Sequence, residues 1–169
     1  MSTRRDALRN FGVLAGTLGS VGALHAKPAV GGAGQTCEIP RNEAEWKKQL
    51  SPDQFTVLRT EGTERAHTSP LDLEERPGTY VCAGCALPVF SSQHKFISPT
   101  GWPSFWQPLP GGVREKKYIS KNDGQRYTEI GCRRCKSHLG HVYNDGPQPT
   151  GLRYCINGLA LALAYRPLL

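Results

Sequence analysis

The sequence lacks two features that would assign it to large classes of protein. After residue 30 it has no apolar stretch as long as the roughly 20 residues that cross a bilayer. It also has no run of five or six lysines and arginines, although its formal net charge is +7 at pH 7. Scattered positive charge is typical of a solvated surface, whereas nucleic-acid binding needs basic residues concentrated along one face. We therefore expect neither stable membrane insertion of the processed chain nor a nucleic-acid partner.

Long helices are not expected either, because 19 glycines and 13 prolines interrupt the chain and favour turns and short strands. A length of 169 residues suits one domain, and a hydrophobic content of 38% supports one packed interior. The chain has no internal repeat beyond two CxxC pairs and no low-complexity tract after residue 36. These observations predict a single small domain.

Residues 1–26 have the pattern of an export signal. Arg4 and Arg5 form a basic start, a stretch rich in Gly, Ala and Leu follows at 11–24, and small residues that suit cleavage come next. The paired arginines resemble a bacterial twin-arginine signal, whose pathway exports folded proteins and predicts a periplasmic location. The alternatives are a disordered N-terminal tail and an uncleaved N-terminus that tethers the protein to the membrane.

The remaining chain divides into a linker and one domain. Residues 27–41 are rich in Gly and Ala and predict a flexible linker, and residues 42–169 predict the domain. The domain begins with two short helices that break at Leu50, the second of which starts with a capping pattern at Ser51. From residue 77 onward the chain consists of short, turn-bounded segments rich in aromatic and branched residues, which predict antiparallel strands.

Four of the six cysteines form two CxxC pairs, which are typical of a metal site. Cys82 and Cys85 form one pair, and Cys132 and Cys135 form the other. Two-residue spacing lets both thiolates of a pair bind one ion from a tight turn, and two such turns complete a tetrahedral site. The alternatives are two redox disulfides or four unrelated thiols, but neither pair has the strand-helix context of a redox CxxC. We predict one structural Zn²⁺ per chain.

Cys155 has no cysteine neighbour and lies in the segment "LRYCIN". If this segment is a strand, Arg153, Cys155 and Asn157 point to one face because side chains alternate along a strand. A nearby guanidinium lowers the pKa of a thiol and makes it more nucleophilic. The alternative is a buried cysteine that packs as a small hydrophobic residue, which is the commoner case for a single cysteine in a strand.

Two other segments carry side chains suited to chemistry. "SHLGHVYNDG" contains His138 and His141, followed by Asp145. With four cysteines holding the ion, these histidines are candidates for proton donation or hydrogen bonding. "TGWPSFWQP" places Trp102 and Phe105 among glycine and prolines, in a loop that could wall an apolar pocket. The alternatives are a pair of surface histidines and an aromatic cap on the core.

In this order, "CAGC", "GWPSFWQP", "CRRCKSHLGHVYNDGP" and "TGLRYCIN" resemble the B-type methionine sulfoxide reductases. The resemblance runs from about residue 42 to the C-terminus, so 42–169 would be the catalytic domain. It implies a mainly β fold with two antiparallel sheets, small N-terminal helices and a structural four-cysteine zinc site. It also implies an oxidoreductase that acts on a sulfur group with a disulfide as acceptor. Such an enzyme reduces the R epimer of methionine sulfoxide and repairs proteins after oxidative stress.

The resemblance also implies a role for each candidate residue. Cys155 matches the catalytic cysteine, which attacks the sulfoxide sulfur and becomes a sulfenic acid. Trp102 matches the aromatic wall for the methyl group of the substrate, and His138 and His141 match the donors near the sulfoxide oxygen. Phe105, in the same aromatic loop as Trp102, is a further candidate for substrate binding. Three further positions support the site: Arg153, Asp145 and Asn157. The implied partners are oxidised protein substrates and an external dithiol of the thioredoxin type, which reduces the oxidised enzyme.

The sequence departs from part of the family at Thr100, a position where many members have a resolving cysteine. The remaining cysteine, Cys37, lies beside the glycine-rich linker, which gives it the reach to approach Cys155. Cys37 is therefore a candidate resolving cysteine. Alternatively it is an incidental thiol, and a partner or a small thiol reduces the sulfenic acid directly.

Two other functions fit parts of the sequence. A zinc-stabilised module that binds nucleic acid or protein would explain the four cysteines, but the aromatic residues cluster beside prolines instead of lining a basic face. A thiol-disulfide oxidoreductase would use one of the CxxC pairs for redox chemistry. Metal content and the number of titratable thiols separate these two functions from a reductase of methionine sulfoxide.

Overall fold

The computed structural model describes residue 39 and residues 41–165. The predicted export signal at 1–26, nearly all of the predicted linker at 27–41, and the candidate resolving residue Cys37 lie outside the described residues. Their structure and roles therefore stay predictions. Within the described part of the chain, no helix has the length and apolar character needed to cross a membrane.

Two short helices open the described domain, as the sequence predicts. α1 spans Glu43–Gln49 and α2 spans Pro52–Thr60, with the break at Leu50. Each helix begins with a capping box, in which the N-cap side chain and the side chain three residues later bond each other's backbone N–H groups. The N-cap residues are Asn42 and Ser51. The helices contribute three large side chains to the core: Trp46, Val57 and Leu58.

The rest of the described chain forms two antiparallel sheets. The strands span Gly78–Cys82 (β1), Pro88–Ser91 (β2), Lys95–Phe96 (β3), Ser104–Phe105 (β4), Val113–Ile119 (β5), Arg126–Cys132 (β6), His138–Tyr143 (β7), Arg153–Ile156 (β8) and Leu161–Tyr165 (β9). The first sheet has the order β2-β1-β9, and the second has the order β3-β4-β8-β7-β6-β5. The prediction of a mainly β fold with two antiparallel sheets and small N-terminal helices is confirmed.

Aromatic rings from both sheets meet in the core. Phe90 of β2 stacks on Phe105 of β4 with ring centroids 4.4 Å apart, and Tyr80 of β1 meets Phe105 edge-on at 4.9 Å. Such pairs contribute about 0.5–1.5 kcal/mol beyond the burial of their area. Phe105 is 0% exposed, so the structure places its ring in the core, and its role in substrate binding stays a prediction. Its ring packs between the sheets because β4 turns that side chain towards the three-stranded sheet.

Cys155 lies on β8, an inner strand of the six-stranded sheet. Its backbone pairs with Ser104 of β4 on one side and with His141 of β7 on the other. β7 approaches closely because Gly140 has no side chain, and a Cβ there would collide with the backbone carbonyl of Cys155. The register of the sheet therefore places a predicted histidine beside the predicted nucleophile.

Candidate active site and metal centre

A small cavity of about 100 Å³ opens beside Cys155. Four of the sequence-predicted site residues line it: Trp102, His141, Cys155 and Asn157. Its other lining residues are Thr63, Gly140 and Tyr143. The fold thus joins the aromatic loop, β7 and the end of β8, which are separate segments of the sequence. An aromatic wall with a few convergent polar groups is the usual composition of a small-molecule site.

The Cys155 thiol is half-buried, and its surroundings raise its pKa above the ordinary value. Burial is the main cause, because it penalises the charged thiolate. The positive charge of Arg153 and a hydrogen bond with Thr100 act in the opposite direction but do not outweigh burial. The expectation that Arg153 lowers this pKa holds for that one contact and is wrong for the net result. The resting site therefore holds a protonated thiol at neutral pH.

Arg153 is held by two neighbours, which limits its effect on the thiol. Its guanidinium donates hydrogen bonds of 2.9 and 2.8 Å to the Asp145 carboxylate and lies over the Tyr143 ring, 4.6 Å from the ring centroid. The charge of Asp145 raises the pKa of Cys155 and offsets part of the effect of the guanidinium. Asp145 is exposed and contacts Arg153, and its supporting role in the site stays a prediction.

The two predicted histidines have different surroundings. His141 lines the Cys155 cavity, and its Nε2 lies 2.9 Å from the Tyr118 hydroxyl. Burial and the neighbouring His138 lower the pKa of His141, which favours its neutral form at pH 7. His138 is 3% exposed, and its Nδ1 lies 3.1 Å from a carboxylate oxygen of Glu129. His141 is therefore the histidine placed to meet a ligand in the cavity, and His138 packs against it with ring centroids 5.5 Å apart.

A larger cavity of about 450 Å³ shares His141 with the first cavity and is also lined by His138 and Glu129. The Glu129 carboxylate lies 3.7 Å from Arg114 and 3.4 Å from Lys116. Burial raises the pKa of Glu129, but the hydrogen bond with His138 and the positive charges around it lower that pKa further, so the net shift is downward. Glu129 therefore stays ionised beside the buried histidine at neutral pH.

The four cysteines of the predicted metal site lie together. Their sulfur atoms are all within 4.8 Å of one another, with 3.6 Å between Cys82 and Cys135 and 3.5 Å between Cys85 and Cys132. A disulfide would need about 2.05 Å. Four sulfurs at 2.3 Å from a tetrahedral ion would lie about 3.8 Å apart. Because the short distances join cysteines of different CxxC pairs, the arrangement fits one four-cysteine metal site and does not fit two redox disulfides.

Matching turns carry the two pairs. The Ala86 N–H donates to the Cys82 carbonyl at 2.8 Å, and the Lys136 N–H donates to the Cys132 carbonyl at 3.0 Å. Ala86 and Lys136 both adopt left-handed backbone angles, with φ of 56° and 60°. Cys82 ends β1 of the three-stranded sheet, and Cys132 ends β6 of the six-stranded sheet. An ion held by the four thiolates would therefore join the two sheets.

Several residues around the site are absent from the sequence-based prediction. Tyr143 lines the cavity, and the alternation of side chains along β7 would have placed it on the same face as His141. Thr63, Glu64 and Tyr118 also contact the site residues, but no motif marks them. They reach the site only through the tertiary fold.

Residues 50–165 match the family model described as SelR domain. The peptide methionine sulfoxide reductase MsrB of Leptospira interrogans is 51% identical over 124 residues, which cover 73% of this chain and 94% of that protein. The protein of the same name from Thiobacillus denitrificans is 50% identical over 124 residues, which cover 73% of this chain and 92% of that protein. The crystal structure of the Mis18 'Yippee-like' domain covers 55% of this chain and 100% of its own, at 24% identity and a TM-score of 0.44, a similarity too low to indicate a shared fold.

Proposed function

The chain belongs to the SelR-domain family of MsrB methionine sulfoxide reductases, and we propose that it reduces the R epimer of methionine sulfoxide in oxidised proteins, with Cys155 as nucleophile. The observation that supports this proposal is the small cavity in which Trp102 and His141 flank Cys155. Reduction of methionine sulfoxide follows from the family. The choice of epimer, the sulfenic acid intermediate and the repair of proteins after oxidative stress are parts of the proposal.

The cavity suits the end of an oxidised methionine side chain. Its volume of about 100 Å³ has room for a methyl sulfoxide group. The indole of Trp102 offers an apolar surface to the methyl group, and His141 is placed to hydrogen-bond the oxygen. The cavity would then fix three things: the methyl group, the oxygen, and the face of the substrate sulfur that is turned to Cys155. Only one epimer of the sulfoxide satisfies all three.

The first step transfers one oxygen atom and two electrons. The Cys155 sulfur attacks the sulfoxide sulfur and forms an S–S bond to it. The oxygen then moves to the Cys155 sulfur as a sulfenic acid, while its bond to the substrate sulfur and the S–S bond both break and methionine leaves. The thiol proton moves to that oxygen, so the step consumes no net proton. The raised pKa of Cys155 keeps the proton on the thiol until the substrate is bound. Neutral His141 accepts this proton and returns it to the oxygen.

The sulfenic acid then condenses with a second thiol, which releases water and forms a disulfide that an external dithiol of the thioredoxin type reduces. Cys37 is the candidate for the second thiol within the chain, and a thiol of the external reductant is the alternative. Mass spectrometry after one turnover without reductant distinguishes the two routes. A disulfide between Cys37 and Cys155 supports the internal route, whereas a sulfenic acid that persists on Cys155 supports the external one.

We further propose that Cys82, Cys85, Cys132 and Cys135 hold one structural Zn²⁺ per chain. When bound, the ion would add folding energy by linking the two sheets, and four thiolate ligands leave no position for water or substrate. Elemental analysis should find one zinc per chain. The Cys132→Ser variant should lose the zinc and have a lower Tm. Folded protein that purifies without metal and with all four thiols open to titration would contradict the zinc proposal.

Turnover of the two separated epimers with dithiothreitol tests the proposed activity. The wild-type protein should reduce the R epimer and leave the S epimer unchanged, and Cys155→Ser should reduce neither. Full activity of Cys155→Ser would show that another group is the nucleophile. Turnover of the S epimer would show that the cavity does not select the proposed handedness.

The N-terminal segment supports a further proposal, that residues 1–26 direct export to the periplasm and are then removed. N-terminal sequencing of the protein from separated cell fractions tests it. A processed chain in the periplasmic fraction is the expected result. A full-length chain in the cytoplasmic fraction contradicts export, and a full-length chain in the membrane fraction supports the tethered alternative.

A further inference from the structure

Glu64 is a buried acidic residue close to the candidate active site. It lies in the segment 61–77 between α2 and β1 and is 8% exposed. Its two carboxylate oxygens accept hydrogen bonds from the backbone N–H groups of Gly158, at 2.6 Å, and Leu159, at 2.8 Å. These two residues begin the 3-10 turn that directly follows Asn157. The side chain of Glu64 therefore fastens its own segment to the turn that leaves the strand of Cys155.

The backbone of Glu64 holds two of the residues that line the Cys155 cavity. Its N–H donates to the Asn157 side-chain oxygen at 3.0 Å, and its carbonyl accepts a hydrogen bond of 3.2 Å from the Trp102 indole nitrogen. Asn157 also donates from its side-chain amide to the Leu139 carbonyl of β7, at 3.0 Å. Through these bonds the segment of Glu64 is tied to β7, to the end of β8 and to the aromatic loop.

A buried carboxylate is costly unless it is paired or well hydrogen-bonded. In the described part of the chain, no lysine, arginine or histidine nitrogen lies within 4.0 Å of the Glu64 carboxylate, and backbone N–H groups are its partners. Each of these bonds is charge-assisted, which makes it stronger and more directional than a bond between neutral groups. The Ser69 side chain packs directly against Gly158. A Cβ at this glycine would collide with the Ser69 hydroxyl, so the close approach of the two segments needs a glycine here.

We propose that Glu64 is a positioning residue for the reduction, which sets the places of Trp102 and Asn157 relative to Cys155. This inference rests on the proposed function. The carboxylate anchors the segment, and the two backbone groups of the same residue then fix the indole that receives the methyl group and the amide beside the nucleophile. Glu64 does not line the cavity, so its effect on the reaction passes through these two residues.

Glu64→Gln is the sharpest test, because it keeps the size of the side chain and replaces one acceptor oxygen by an amide donor. That amide faces a backbone N–H, so one of the two hydrogen bonds is lost and the segment must shift. We expect kcat/KM for the R epimer to fall at least about tenfold at 20 °C, with a higher KM from the displaced indole and a lower kcat from misalignment. The matched control is Glu75→Gln, the same change at an exposed position of the same segment, which should keep wild-type kinetics.

A spectroscopic readout separates positioning from stability. The chain has three tryptophans and hence three indole N–H resonances in a ¹H–¹⁵N spectrum, and Trp102→Phe identifies the one from Trp102. In Glu64→Gln this resonance should move, while those of Trp46 and Trp106 stay in place. A purely structural role would lower Tm but leave the indole shift, KM and kcat of the folded protein unchanged, and that result would overturn the proposal.

Two further outcomes are distinguishable. If Glu64→Gln does not fold, Glu64→Asp takes its place: it keeps the charge but is one methylene too short to reach both N–H groups, and it should show the same indole shift and loss of kcat/KM. Wild-type kinetics in Glu64→Asp would overturn the positioning role. If the wild-type protein itself fails to reduce the R epimer, the proposed function fails. The indole shift then still decides whether Glu64 holds Trp102 in place.

Discussion

The alkylation rate of Cys155 should rise steeply with pH, because burial keeps this thiol protonated at neutral pH. Only the thiolate reacts with iodoacetamide, so the rate follows the ionised fraction. A thiol with a pKa of 9.0 is about 1% ionised at pH 7 and about 50% ionised at pH 9, a rise of about 50-fold. The pKa of Cys155 is raised above that value. The rise should therefore lie between about 50-fold and 100-fold, the latter being the limit of tenfold per pH unit.

The assay follows the peptide that contains Cys155 by mass spectrometry after brief exposure to iodoacetamide between pH 6 and 10. Glutathione in the same buffers corrects for any pH effect on the reagent. Arg153→Gln removes the charge that opposes the effect of burial, so it should raise the pKa of Cys155 further and slow alkylation at pH 8. Arg126→Gln, the same change at an exposed position on β6, is the matched control and should leave the rate unchanged.

Two results would refute this reasoning. A rate that is already level between pH 7 and 8 would mean that the thiol is ionised at rest and that the charge of Arg153 outweighs burial. Faster alkylation in Arg153→Gln would mean that the guanidinium does not stabilise the thiolate at all. In the first case the thiol proton would not be available for the sulfoxide oxygen, and in the second case the charge of Arg153 would have no part in ionising the thiol.

Three further predictions concern stability and the redox cycle. Ile156 is 0% exposed, so Ile156→Ala should lower the free energy of unfolding in urea by about 2–5 kcal/mol. The pKa of Glu129 is lower in the folded protein than its ordinary 4.5, so this carboxylate contributes stability that is present above pH 4.5 and lost as pH falls below it. Glu129→Gln should therefore flatten the fall of Tm between about pH 5 and 3, although the loss of its bond to His138 should lower Tm at pH 7. The Thr100 side chain lowers the pKa of Cys155, so we expect it to lie close to the thiol, and Thr100→Cys should form a disulfide with Cys155 after one turnover, seen by mass spectrometry.

Each of these predictions has a control. Leu73→Ala, at a side chain that is 69% exposed, should change the free energy of unfolding by less than about 0.5 kcal/mol. Glu115→Gln, at an exposed position on β5, should keep the wild-type dependence of Tm on pH. The double variant Thr100→Cys/Cys155→Ser should form no such disulfide. An acid dependence that is unchanged in Glu129→Gln, or a sulfenic acid that persists in Thr100→Cys, would contradict the contacts described here.

Local patterns in the sequence were enough to predict much of the fold. The capping box at Ser51 depends on neighbouring residues, and so does the turn geometry of each CxxC pair. Alternation of side chains along the segment 153–157 predicted that Cys155 and Asn157 share a face, and both line the cavity. These features follow from spacing along the chain, so they need no knowledge of distant contacts.

Features that depend on distant contacts could not be predicted in this way. Phe105 carries the same motif as Trp102, and only the packing of two sheets decides that its ring is in the core. The spacing of His138 and His141 does not show that one meets the Cys155 cavity while the other pairs with a buried carboxylate. The net rise in the pKa of Cys155 could not be predicted from the sequence either, because burial is its main cause and burial depends on the whole fold.

The cavity beside Cys155 has a volume of only about 100 Å³. Under the proposed function, this size limits which oxidised methionines of a substrate protein can be reduced. A side chain must protrude from its own protein to enter, and one that is sealed within a tightly packed interior cannot do so. Damage on loops, termini and partly unfolded chains is then within reach. For oxidised methionines in an intact interior, local unfolding of the substrate protein, and not the chemistry of the enzyme, limits the rate of reduction.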